Sequence, residues 1–294
     1  MSSLRPLFVC AVSCAALAPA LSAETLAERA RAALRRSLAE EGGWTRIHAA
    51  DALLALGDAG PVRAAFLPAA AGEERLPHRI GLWRVRAGLA RTPEERTPWI
   101  ALIAAAAADP AGPDRLQAVE SLAKLGVPPA GAALAAVRAM AEGGDGERGY
   151  ALWALHFAGE PDVPRRIATL LRSPEPAARI RAAFVLRQLR PADPEIRAEL
   201  AAAVAAEPAE SVAFPYLLGS ALLLRADPAQ PPGWRTALER IATSGAPGAR
   251  YEACQTAMRL EPPPEPALFA AGLGRDGDAR IGAAWAILFL AARH

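Results

Sequence analysis

The stretch Arg115-Leu116-Gln117-Ala118-Val119-Glu120-Ser121-Leu122 decides the fold, because the chain keeps returning to it. With the arginine as position zero, positions one, four and seven are apolar or small and lie above one another on a helix. Earlier copies read Arg46-Ile47-His48-Ala49-Ala50-Asp51-Ala52-Leu53 and Arg79-Ile80-Gly81-Leu82-Trp83. Later ones are Arg148-Gly149-Tyr150-Ala151-Leu152, Arg179-Ile180-Arg181-Ala182-Ala183, Arg250-Tyr251-Glu252-Ala253-Cys254 and Arg280-Ile281-Gly282-Ala283-Ala284. A degenerate copy without the arginine begins near Phe214. Successive anchors stand 30 to 36 residues apart, the length of one helical hairpin with two short turns.

The punctuation keeps the same phase. Pro61, Pro98, Pro129, Pro164, Pro194, Pro232 and Pro266 follow the anchors by 14 to 19 residues, each expected to open a second helix. Proline suits a first turn, where its missing N–H has no helical partner to lose. Gly72-Glu73-Glu74, Gly143-Gly144-Asp145-Gly146 and Gly274-Arg275-Asp276-Gly277-Asp278 then close units. Positions one, four, seven and ten, mainly Ile, Ala, Leu and Leu, form the stripe that should face the paired helix. Cys254, at position four, belongs in that core.

The acid–arginine turn followed by Ala-Ala resembles the bacterial HEAT repeat, in the variety known as PBS-lyase HEAT-like. Asp276, Asp278 and Arg280 match it best, and Asp114 and Arg115 match it less well. The resemblance covers roughly residues 44–294. It implies an all-α fold, a right-handed α-solenoid of about seven HEAT-like (armadillo-like) hairpins, forming a curved rod about 70 Å long at 9–10 Å per unit. Residues 24–43 are expected to form an N-terminal capping helix. The resemblance specifies fold and leaves function open, since the family includes lyases, hydroxylases and phosphatase scaffolds.

Residues 1–23 read as a cleaved signal peptide. Arg5 precedes the apolar run Leu7–Leu17, and Ala18-Pro19-Ala20 and Leu21-Ser22-Ala23 offer small-residue cleavage sites. A periplasmic or secreted protein follows. Lipoprotein anchoring at Cys14 fits less well, because Ala11 stands where a larger aliphatic residue is expected. No later stretch is long and apolar enough for a membrane span. The net charge of +2 lacks the basic stripe of a nucleic-acid binder. The basic residues are almost all arginine, Lys124 being the only lysine. The anchor arginines are read as a structural ladder, each near acidic turn residues or open carbonyls of a neighbour.

Positions two, five and nine point away from the apolar stripe, toward what a HEAT-like stack presents as a concave groove. They include His48, Asp51, Arg84, Glu120, Lys124, Glu252 and Arg259, and an aromatic group at the centre: Tyr150, Trp153, Phe157, Phe184 and Tyr216. Two placements are open for these rings, lining a ligand groove or turned inward to fill space left by alanines. If they line the groove, replacing Trp153 and Phe184 leaves the melting temperature nearly unchanged. Trp285 and Phe289 sit on the last helix, whose outer face either folds back or docks on another protein.

Searches for chemistry find little. None of His48, His78, His156 and His294 begins a His-x-x-x-His or His-Glu-x-x-His pair, and there is no His-Glu dipeptide, so neither a metal site nor a cofactor is expected. There is no nucleophile elbow, phosphate loop or dinucleotide fingerprint. His48 and Asp51, one turn apart, are the nearest approach to an acid–base pair. The expectation is therefore a non-enzymatic binding or scaffold protein whose partner is a protein or peptide, or a glycan. The alternative is a lyase- or chaperone-like HEAT protein that handles a tetrapyrrole or other apolar ligand.

Overall fold

The computed structural model describes residues 24–67, 76–227, 229 and 231–293. Among them there are helices and no strands, so the chain is all-α. The helices are α1 (Leu26–Glu40), α2 (Gly43–Ala55), α3 (Ala59–Phe66), α4 (Arg79–Leu89), α5 (Pro93–Ala108), α6 (Arg115–Lys124), α7 (Gly131–Ala141) and α8 (Asp145–Phe157). They continue as α9 (Val163–Thr169), α10 (Pro176–Leu189), α11 (Pro194–Ala206), α12 (Phe214–Leu224), α13 (Pro232–Ser244), α14 (Pro247–Ala257) and α15 (Gly277–Ala291), with 3-10 turns at Leu170–Arg172 and Pro266–Gly274. The expected signal peptide and the Gly72-Glu73-Glu74 turn lie outside the described residues.

Each anchor arginine falls in the first turn of α2, α4, α6, α8, α10, α14 or α15, and α12 is the degenerate copy. Residues 24–43 contain α1, opened by a reciprocal cap: Thr25 Oγ accepts from the Glu28 N–H while Glu28 accepts from the Thr25 N–H. Three prolines depart from expectation. Pro129 stands outside α7, before its cap residue Ala130. Pro98 lies inside α5, because Thr92 caps the helix five residues upstream of Thr97 by accepting from the Glu95 N–H and Pro93 takes the first turn. Pro266 opens a 3-10 segment in place of an α-helix.

Two circuits of helices result. α2, α4, α6, α8, α10, α12, α14 and α15 each pack on the next, and α1, α3, α5, α7, α9, α11 and α13 back them. The small stripe residues permit this: Ala50, Ala183, Ala284 and Cys254 are fully buried. Burial pushes the Cys254 thiol up to about 12, so it remains an inert, protonated core group. Where α14 meets α15, a Cβ on Gly282 would stand 2.9 Å from the Tyr251 Cα, so only glycine allows the approach. Like positions face each other on successive members of the first circuit, as with Asp51 and Arg84 at position five, so these helices run parallel.

The anchor arginines hold this arrangement. Arg79 forks onto the buried Asp114 at 2.6 and 3.1 Å, and Arg179 onto Glu207 at 2.7 and 2.8 Å. Arg46 and Arg115 donate to the carbonyls of Ala65 and Ala136 in the hairpin's second helix. Such charge-assisted bonds are worth about 1.5–3 kcal/mol when shielded. The Arg179 guanidinium holds the Glu207 carboxyl below its ordinary range, against burial and with help from Ser211.

The expected rod with two free ends does not form. α15 packs on α1 and α2 as well as on α14, so the first circuit closes into a ring and the second surrounds it. Arg280 donates to Glu41 at 2.9 Å, and His48 Nδ1 meets Asp278 Oδ1 at 2.9 Å, joining residues 239 and 230 positions apart. Eight helices at about 9–10 Å give a ring about 24 Å across between opposite axes, and subtracting the backbone cylinders, about 5 Å wide, leaves about 19 Å into which side chains project. The proposed docking end of Trp285 and Phe289 is therefore covered. Trp285 is buried and Phe289 half-buried, because α15 is the helix that closes the ring.

Deleting residues 277–294 should expose the facing surfaces of α1, α2 and α14. The expected result is loss of the cooperative melt and strong binding of a hydrophobic dye. A truncated protein that melts cooperatively near the full-length temperature would show that the ends fold independently.

In the wild type, the Glu207–Arg179 contribution should be complete above the ordinary carboxylate range and fade as pH falls through the depressed Glu207 value. Glu207→Gln should therefore be less stable than wild type at pH 7 by about 1–2 kcal/mol, with the gap closing in acid. Parallel urea melts across pH 2–7 measure it, and a gap independent of pH would contradict the pairing.

Candidate functional site

The interior of the ring is the site, because its helices project their largest polar and aromatic side chains there. Closure turns the expected groove into an inner lining. Charges on non-adjacent helices reach one another across it. The Tyr251 hydroxyl on α14 is pushed well above the phenol range by burial and then by Asp51 on α2, Asp278 on α15 and Glu252, with Arg84 on α4 acting the other way. Tyr216 on α12 is pushed to about 12 by burial first, then by Glu252, with smaller effects from Asp278 and Glu120.

Each interior carboxylate has a cation from the chain itself. Arg84, 6% exposed, donates to Asp51 at 2.7 Å and to Ser121 Oγ at 3.1 Å. Lys124 meets Glu120 at 2.8 Å. Burial would raise the Glu120 carboxyl, but Lys124 and Arg84 together hold it below its ordinary range. Arg187 on α10 reaches past α12 to Glu252 and, at 2.9 Å, to Thr256 Oγ on α14. It can do so because α12 is slim there: a Cβ on Gly219 would stand 2.8 Å from Thr256. Ser220, beside it, donates to the Ala183 carbonyl at 2.8 Å.

The aromatic residues divide. Trp153 packs edge-on to Phe184 with centroids 5.7 Å apart, and Tyr150 stands 6.5 and 6.4 Å from these two rings. Trp153 is only 4% exposed, so this ring belongs to the interior packing and not to an open groove. Phe184 is half-buried with Lys124 and Arg187 over its ring at 5.7 and 5.0 Å. Tyr216 is half-buried and joins the interior through electrostatics. Phe157 alone of the five is exposed, at 38%, beside His156 and within 3.7 Å of a Cβ built on Gly126. Trp285 and Phe289 lie on the interior side of α15, each 5.4 Å from the Arg259 guanidinium.

The His48–Asp51 pair does not form. Asp51 is taken by Arg84, and His48 pairs with Asp278 and stacks on Tyr251 at 5.1 Å. At position one, Tyr251 falls in the expected apolar stripe; a tyrosine where most other repeats carry Ile or Leu was the available signal. It also passed over Arg187, which at position eight lies between the stripe and the groove. Among the described residues no group of three or more His, Cys, Asp and Glu could hold a metal ion, and no helix is long and apolar enough to cross a membrane.

Trp153→Ala should destabilise the protein by about 3–5 kcal/mol, the usual cost of emptying a buried aromatic site. Phe157→Ala should stay within about 0.5 kcal/mol of wild type, as exposed substitutions do. Thermal and urea melts of the two variants decide this, and equal effects would overturn the division between interior and exposed rings.

Comparisons with family models, with curated proteins and with solved structures find no match to this chain.

Proposed function

We propose that the chain is a right-handed α-solenoid of HEAT-like hairpins bent until its ends meet, and that it works outside the cytoplasm as a non-enzymatic binding scaffold. One observation carries this reading. The interior carboxylates Asp51, Glu120, Glu252 and Asp278 are matched by Arg84, Lys124, Arg187 and His48. Groups locked in reciprocal pairs build a rigid frame, whereas proton transfer calls for a group poised toward substrate. The same pairs and the Tyr150–Trp153–Phe184 cluster project into the interior, which favours this reading over a pocket for a tetrapyrrole or other apolar ligand.

Recognition then falls to the rims of the ring. The rim at the C-terminal ends of the inner helices carries Phe157, an exposed aromatic side chain of the kind that suits a protein or peptide partner. The export reading rests on the sequence of residues 1–23. It predicts that N-terminal sequencing of the mature protein begins at Glu24, and an intact Met1 on the exported protein would exclude cleavage.

A photo-crosslinking residue at position 157 should trap one defined partner in the cell envelope. The same residue at Val212, which is 68% exposed in the loop before α12 on the opposite rim, should not. Equal trapping at both positions would remove the case for this rim.

A further inference from the structure

The C-terminal rim holds a second feature. After α2, α6 and α8 the chain turns through glycines in the left-handed conformation: Gly57 (φ 78°), Gly126 (φ 64°) and Gly159 (φ 83°). After α10 and α12 the same conformation is taken by Arg190 (φ 49°) and Arg225 (φ 50°). A residue with a Cβ is disfavoured there and glycine is the easy choice. Two adjacent repeats place arginine where three earlier ones place glycine.

Arg225 borders a small cavity of about 70 Å³, open to solvent, between the ends of α12, α13 and α14. Leu222, Leu223 and Leu260 supply its apolar lining, and Arg225, Arg235 and Arg259 its charge, with Glu261 also on the wall. The nearby carboxylates are already engaged. Arg235 donates to Glu239 at 2.9 Å, Arg293 to Glu261 at 2.5 Å, and Arg187 to Glu252. Arg259 donates to the Gln255 carbonyl and lies over Trp285 and Phe289. No carboxylate among the described residues bonds Arg225 or Arg259. Burial, and then the charge of Arg187, lower the Arg259 guanidinium to about 10, with Arg190 adding in the same direction. Arg225 and Arg259, neither of them bonded to a carboxylate, therefore both border one small cavity with leucines in its wall.

We propose that this cavity binds an oxyanion, the phosphate or carboxylate group of a small organic molecule, between Arg225 and Arg259. Guanidinium groups present paired donors that match both kinds of oxyanion. The leucines would border the uncharged part of the ligand, and the cavity is of a size for the anionic group itself. Arg190 and Arg235 add positive field without needing contact.

The test titrates inorganic phosphate and, separately, acetate into the purified full chain, at constant ionic strength set with sodium chloride. The readouts are calorimetry and thermal melting. One of the two anions should bind saturably and raise the melting temperature by roughly 5 °C at a hundredfold excess over Kd, which also separates phosphate from carboxylate recognition. Arg225→Gly should weaken binding at least tenfold, while its anion-free melting temperature equals or exceeds that of wild type, since glycine suits the left-handed turn. Arg259→Gln should weaken binding to the same degree. No saturable binding of either anion by the wild type would overturn the proposal. So would undiminished binding by Arg225→Gly, a variant whose fold the substitution favours.

Discussion

Contact of α15 with α1 and α2 is the constraint on which the rest of the molecule depends. Eight inner helices that complete a full turn need about 45° of rotation each, and that rotation fixes the width of the interior. That interior is too wide for alanines to fill. Long side chains from opposite walls fill it, and at that depth any charge needs a partner. Hence the interior of paired arginines and carboxylates around a core of rings. The alanines at position four and the arginines and tryptophans facing inward are two consequences of one geometry: small groups bring helices together around the circumference, and large ones meet across it.

Arginine serves this chain in two ways. In the hairpins it ties helices together. Arg63 donates to the Leu89 carbonyl, Arg86 to Phe66 and Arg96 to Leu125, so carbonyls at helix ends that lack a helical partner receive a charged donor. Lysine would supply one point charge where the planar fork supplies several donors. In the interior, arginine neutralises carboxylates from neighbouring or more distant helices. Arg225 and Arg259 fit neither use, and both border the cavity at the ends of α12 and α14.

The helices were legible in the sequence because their signals are local. A cation, a small residue three or four places on and a leucine one turn later define a helix face wherever they recur, and Asp193 before Pro194 marks a helix start without reference to anything distant. Pro98 misleads because a stronger start, Thr92 with Pro93, lies just upstream. The aromatic cluster was visible as a set, yet its burial was not. Whether Trp153 meets solvent depends on the accumulated curvature of every repeat, a quantity no single window contains. His48 and Asp278 show the same limit: each is unremarkable in its own helix, and they meet only because the whole circuit closes.

An open array of repeats melts from its ends, since a terminal unit leans on one neighbour and is released by breaking a single interface. This ring has no terminal unit. The first hairpin to come away, whichever it is, must give up contacts on both flanks. Fraying is thereby suppressed, and the molecule should stay intact until it opens as a whole, with amide protons in the first and last helices exchanging as slowly as those midway round.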